Sequence, residues 1–412
     1  GILNTSGSNH ALTVTGDIHI DGTLTGNASA ISGNSVHIDG TFTHNGALTV
    51  SGIAGTNYAF QNLGTWTPST SQVTTFTGDG DGTYHVKSND WDSVVIHAAG
   101  EQYIFRPKTG TAITFVDDLT VTAGNMIQND NGDSWTVGGD VLVSDDTLGV
   151  STATGNLEFG SLTIADGATF QATRGTTTIT SMTSTGSGDR SLNNKSGGTF
   201  ANNGGTVLFN AAGDQRMEMA GTGNVHNLTL SKSDNDLVTF GNLTVEGVLS
   251  ITLATVHTMR PNNASETLTV TGNATIVEGK LGDVTNYTGA ISFGSLTIAS
   301  GGEYIATSGT TTLTSTSSNY SINNAGTFTH NNGTVKIDFE TPNYNANSKI
   351  KLNQMYNLEI EMNRTTDMTL LEPESGTTLT ALNKVTVKKG VLTKNSHTHT
   401  LDFKGLTVVG VG

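Results

Sequence analysis

Along residues 1–55 the apolar positions fall into short alternating triplets: Leu12-Thr13-Val14, Ile18-His19-Ile20, Thr23-Leu24-Thr25, Val36-His37-Ile38, Thr41-Phe42-Thr43 and Leu48-Thr49-Val50. A period of two with β-branched residues predicts half-buried strands, each only a few residues long. Each triplet stops at Gly, Asn or Asp-Gly. The pairs Asp21-Gly22, Asp39-Gly40 and Asn45-Gly46 read as turns in which glycine supplies a positive φ. No helix is expected, because the segments are short, β-branched and often broken by glycine.

The same phrasing returns at long range. Phe159-Gly160-Ser161-Leu162-Thr163-Ile164-Ala165 recurs as Phe293 to Ala299, and Gly175 to Ser181 recurs as Gly309 to Ser315, both at one and the same offset along the chain. Gly198-Thr199-Phe200-Ala201-Asn202-Asn203-Gly204-Gly205-Thr206-Val207 has a relative in Gly326 to Val335, and a weaker one begins at Gly64-Thr65-Trp66. Self-similarity of this kind decides architecture before any local reading. The chain divides into an amino-terminal stub (1–25) and three divergent copies (26–158, 159–292, 293–412). Shorter periods lie inside a copy: Leu243-Thr244-Val245 resembles Leu268-Thr269-Val270.

Many short strands can form sheets of hairpins or a coil in which each strand pairs in parallel with its equivalent one turn on. Recurring Thr, Asn, Val and Ile at equivalent sites favour the coil, where like residues stack. The fold class expected is all-β, a parallel β-solenoid; tandem β-sandwich domains are the alternative. A coil of about 20 residues would give about 20 coils and, at about 4.8 Å each, a rod roughly 100 Å long. Residues 340–364, more polar and charged, are expected to form longer loops. The last residues, Leu406-Thr407-Val408-Val409, end inside a strand pattern, and a cap by another segment or subunit is expected there.

Composition sharpens this picture. The 412 residues include 51 glycines, 5 prolines and no cysteine, and only 13% are charged. A stack of coils grows without a thicker core, which suits a chain that is only 34% hydrophobic. The net charge of −16 disfavours nucleic acid as a partner, since phosphate neutralisation needs Lys and Arg. A disulfide framework is impossible without cysteine. No run approaches the ~18 apolar residues of a membrane span, so membrane insertion is not expected. No leader is visible and residue 1 is Gly, consistent with processing or with a fragment of a longer protein.

Candidate chemistry is sparse. No His-Glu-x-x-His, Gly-x-Ser-x-Gly or phosphate-loop motif occurs, so no catalytic residue and no enzyme activity is expected. Solenoids that cleave polysaccharides use paired carboxylates, and Asp117-Asp118 and Asp145-Asp146 are candidates by type. Asp79 and Asp81, and Asp130 and Asp133, offer closely spaced oxygens in turns and are candidate ligands of a structural calcium ion, though neither set completes a helical-hand loop. His397 and His399 lie on one face of a strand pattern and could meet a transition metal. Gly160-Ser161 and Gly294-Ser295 belong to the repeat and read as structural. Trp66, Trp91 and Trp135 align with apolar positions of other copies and are expected in the core.

The phrase Asn-x-Gly-Thr-Phe with its Asn-Gly-Thr-Val continuation, followed by Asn-Leu-(Thr/Glu)-(Leu/Ile), spans 197–230 and 323–360. It resembles the repeats of large extracellular β-rich proteins: virion structural proteins of bacteriophages, such as fibres, spikes and capsid decorations, and bacterial surface adhesins. The first copy departs from it between Gly64 and Gln72. The resemblance implies a β-solenoid displayed outside a cell, on a virion or a cell surface. It also implies a homo-oligomer, a trimer included, or docking on other subunits, and contact with a host-surface glycan or receptor. It carries over no catalytic or binding residues, and no cofactor. A cell-surface adhesin, filament or surface-layer subunit, and a polysaccharide depolymerase, are the alternative functions.

Overall fold

The structure, a computed structural model, describes residues 1–5, 7–53, 57–78, 82–182, 190–232, 237–254, 257–282, 287–316, 319–339, 347–362, 368–374, 376–394, 396 and 398–409. It is all-β, with no helix among the described residues, and its parallel strands stack as a β-solenoid of about 16 turns. The chain falls into two compact units, one of residues 1–207 with 219–223 and the other of 208–218 with 224–412. The copy boundaries at 158/159 and 292/293 fall inside strands, Leu157–Ile164 and Ile291–Ile305.

In the first unit the early coils carry three short strands each. One face stacks Ile2–Asn4, Thr23–Asn27, Thr41–His44 and Thr65–Pro68. A second stacks Ile18–Ile20, Val36–Ile38 and Tyr58–Asn62, and a third stacks Leu12–Thr13, Ile31–Gly33, Leu48–Val50 and Val73–Phe76. Apart from a shift between Thr25 and Asn27, register on this first face is residue for residue, so like meets like: Thr23, Thr41 and Thr65 form one outward ladder, and Leu24, Phe42 and Trp66 form the inward one beside it. A slip of one residue would turn every apolar side chain outward, so burial fixes the register.

The core is the column of these inward residues. Phe42 and Trp66 sit 4.8 Å apart by ring centroid, as do Phe60 and Trp91. All three tryptophans are buried, as their alignment predicts. Each fully buried large apolar side chain contributes about 1.5–3 kcal/mol.

The second unit repeats the arrangement. Leu243, Thr244 and Val245 lie directly on Leu268, Thr269 and Val270, so the short period seen in the sequence is the coil itself. Phe293–Ile298 shows the same inward pattern as Phe159–Ile164 in the first unit. Ser161 Oγ donates to Asp140 Oδ1 (2.7 Å), and Ser295 Oγ donates to Asn273 Oδ1 (2.8 Å), each one coil back. Thr173 and Thr307, both buried, each accept a hydrogen bond on Oγ1 from the N–H of the glycine two residues on.

Three expectations need correction. Coils are less uniform, and on the whole longer, than the sequence suggests. Leu24 pairs with Phe42, Phe42 with Trp66 and Leu162 with Leu192, so the step between stacked partners widens from one pair to the next. Of residues 340–364, 340–346 and 363–364 lie outside the described residues, and 347–361 are mostly strand, Asn347–Lys351 and Gln354–Glu361, because Ile350, Met355, Leu358 and Ile360 are buried. Third, Gly22, Gly40 and Gly46 do not have a positive φ. A Cβ on Gly40 would drive into the carbonyl oxygen of Gly22, and one on Gly64 into that of Gly40. The N–H of Thr41 donates to Gly22 O and that of Thr65 to Gly40 O, both at 2.7 Å. Glycine is required there because consecutive coils touch backbone to backbone. Left-handed backbone is instead supplied in the Asn-rich turns, at Asn203 (φ 49°), Asn331 (43°) and Asn332 (58°).

Gly40→Ala is therefore expected to destabilise the first unit by about 1–3 kcal/mol, the usual cost of forcing atoms into a filled space. Gly132→Ala, where a Cβ meets nothing within 4 Å and φ is not positive, should change it by less than about 0.5 kcal/mol. Urea unfolding midpoints of the two variants compare them directly; equal midpoints would refute the steric account.

Candidate functional site

In-register stacking places outward side chains of successive coils one above another. On the second face this joins two copies of one phrase, Ile18-His19-Ile20-Asp21-Gly22 and Val36-His37-Ile38-Asp39-Gly40. Ile18, Ile20, Val36 and Ile38 point inward and are buried. His19 pairs with His37 across the coils. The aspartate two residues on from each histidine lies on the same outward face of the pleat. Each Asp-Gly then closes the corner, where the glycine ladder holds the two coils in backbone contact.

The result is a cluster in which both imidazoles converge on one carboxylate. His19 Nε2 lies 2.9 Å and His37 Nε2 3.0 Å from Asp39 Oδ2, and His19 Nε2 lies 3.4 Å from Asp21 Oδ1. The rings meet edge to face, 4.7 Å apart. The hydrogen bond to Asp39 holds the His19 imidazole above its usual range, and the same bond holds the Asp39 carboxyl below its own. One nitrogen from each ring and the Asp39 oxygen all lie within 4.8 Å of one another, and this is the one such group of three among the described residues. The signal is present in the sequence as His-x-Asp-Gly repeated one coil on, but it joins residues of different strands.

The residues singled out from sequence sit elsewhere. Asp79 and Asp81 lie outside the described residues, as does His397. Asp130 is not fully buried, whereas Asp133 is buried and turns its carboxylate back on its own loop: Oδ2 accepts the Asp130 N–H at 3.0 Å. Burial raises the Asp133 carboxyl above the ordinary range.

Asp117, Asp118 and Asp146 brace neighbouring coils. Asp117 Oδ2 accepts from Ser93 Oγ (3.4 Å), Asp118 Oδ1 from the Asp140 N–H (2.7 Å), and Asp146 Oδ2 from the Gly124 N–H (2.6 Å). Asp145 accepts the N–H of Asp146, which has a φ of 55°.

Two further polar clusters hold the interior of the first unit. Glu101, buried, accepts the hydroxyls of Tyr84 (3.0 Å) and Tyr103 (3.3 Å), whose rings stack at 4.9 Å. Burial, reinforced by that carboxylate, pushes the Tyr103 phenol far above its normal range. His44, also buried, lies 2.8 Å from the Ser29 carbonyl through Nε2 and 3.0 Å from Gln72 Nε2 through Nδ1. This fixes the neutral tautomer with its proton on Nε2, donating to Ser29 while Nδ1 accepts from the Gln72 amide. In the second unit, Lys336 sits among Asp338, Glu359 and Glu361, and Lys388 reaches Glu359 at 2.7 Å, so charge alternates from coil to coil.

No family model, curated protein or solved structure matches the chain.

Burial holds the His44 imidazole below its ordinary 6.5. The unfolded chain then binds the extra proton first as pH falls. The contribution of His44 to stability is complete well above that ordinary value and declines below it, towards the lower folded-state value. The stability difference between wild type and His44→Gln, measured by urea unfolding across pH 8 to 5, should shrink on acidification. A difference that widens would contradict the assignment of a neutral, buried ring.

Proposed function

We propose that this chain is a non-catalytic structural protein of a virion surface, serving as part of a fibre, spike or capsid decoration that projects from the particle and meets the host surface. The observation that carries this reading is the in-register parallel ladder within each unit. Its inward column is apolar and its outward faces repeat small polar residues coil after coil. Such a stack resists bending and extends by adding coils, which suits a spacer.

The carboxylate pairs that a glycan-cleaving solenoid would use support the same reading. Asp117, Asp118 and Asp146 commit oxygens to neighbouring coils, and Asp145 commits one to its own turn. The low charge density and acidic balance fit a surface that must stay soluble while displayed at high copy. Partners consistent with this role are further copies of the chain, a trimer included, other subunits of the particle, and a host glycan or receptor.

Quantitative mass spectrometry of purified particles from the source is expected to find the chain at tens of copies or more per particle. Its recovery instead from the cell envelope, and not from particles, would move the assignment to a cell-surface adhesin or surface-layer subunit. Release of reducing ends from host polysaccharide by the purified chain, lost on Asp118→Asn or Asp146→Asn, would overturn the non-catalytic reading.

A further inference from the structure

We propose that His19, His37 and Asp39 form a binding site for a single borderline divalent transition-metal ion, zinc in the first instance, that staples two successive coils together. The case begins with ligand type. Two imidazole nitrogens with carboxylate oxygens form a set that zinc accepts and calcium does not favour, since calcium takes a larger shell made of oxygens alone.

Geometry agrees with type. A tetrahedral zinc with bonds of about 2.0–2.1 Å holds its ligand atoms about 3.3 Å apart. The spacings here are 2.9 Å and 3.0 Å from the two Nε2 atoms to Asp39 Oδ2, and all three atoms lie within 4.8 Å of one another. An ion entering between them opens the two nitrogen–oxygen spacings by a few tenths of an ångström and brings the two nitrogens to about the same separation. Both rings already direct Nε2 at the shared oxygen, so a bound ion takes the place of the two N–H bridges, each Nε2 ligating without its proton.

The backbone makes the site rigid from below. His19 and His37 stand opposite each other in parallel register, flanked by buried isoleucine or valine on both sides. The corners that follow are pinned by the Gly40 N–H donating to Ile20 O at 2.6 Å. The site is also open: His19 and Asp39 side chains are 56% and 41% exposed, so an ion and a completing water can reach it. One coil further on, Gln61 follows His37 in the ladder, and Leu63 takes the place of Asp39 in the phrase. The ligand set is therefore confined to two coils and predicts one ion per chain.

The test is calorimetric titration of the full chain, free of any histidine tag, with zinc chloride at pH 7.5. Wild type is expected to bind one equivalent with a dissociation constant below about 10 µM, and His19→Ala/His37→Ala to weaken that step by at least about tenfold. Asp39→Asn should weaken it in the same direction, and 1 mM calcium should leave the zinc isotherm unchanged. Hydrogen exchange gives a readout that needs no substitution: zinc should slow exchange at amides within 18–40 and leave the second unit unaffected. Absence of binding at 100 µM zinc would overturn the proposal. So would identical isotherms for wild type and a folded His19→Gln/His37→Gln variant, or zinc protection that appears only elsewhere in the chain.

Discussion

Everything in this molecule depends on one constraint: each strand must find its hydrogen-bonding partner in the coil before or after it, with its inward residues kept in line. A backbone N–H or C=O left without a partner inside the stack is costly, and the parallel ladder satisfies these groups coil by coil. Once the ladder is set, the side chains have no freedom to choose neighbours. Leu24 must lie against Phe42 and Phe42 against Trp66, and His19 must face His37. The aromatic column, the threonine ladders and the histidine cluster all follow from that register.

The ladder also explains how carboxylates are used. In a globular enzyme, paired aspartates commonly mark a reaction centre. Here a coil that turns a corner exposes N–H groups that its own strand cannot satisfy. Asp118 and Asp146 supply acceptors to the Asp140 and Gly124 amides. The first of these braces connects onward through Asp140 to Ser161, so consecutive corners are tied by side chain as well as backbone. The burial of Asp133 follows the same logic, since its carboxylate closes a turn by accepting the Asp130 N–H.

Much of the fold was legible because the repeat is written twice, once in blocks and once in triplets. The resemblance of Leu243-Thr244-Val245 to Leu268-Thr269-Val270 marked the coil as a repeating unit, and the register places the two triplets in contact. Coil length was not legible, because the triplets mark which strands stack and not how many residues separate one stacked triplet from the next. Leu162 reaches much further along the chain to Leu192 than Leu24 does to Phe42, yet both pairs sit in the same kind of ladder. The role of Gly22 and Gly40 was hidden for a related reason. A sequence shows that a residue lacks a side chain, but not that another coil's carbonyl occupies the space. The histidine cluster escaped for want of a fold: within one strand each histidine is alone, and only stacking brings His19 to His37. The one-strand pattern of two imidazoles points to His397 and His399 instead.

The unequal steps between coils carry an evolutionary corollary. Because the chain between stacked partners varies in length while the partners stay paired, insertions between strands leave the core chemistry untouched, and selection can elaborate an outward loop independently of its neighbours. Whole turns can likewise be duplicated or lost as modules, provided the corner glycine travels with them. A lineage built this way would diversify its exposed decoration quickly while its inner column drifted slowly, leaving similarity recognisable in rhythm long after it has faded in letters.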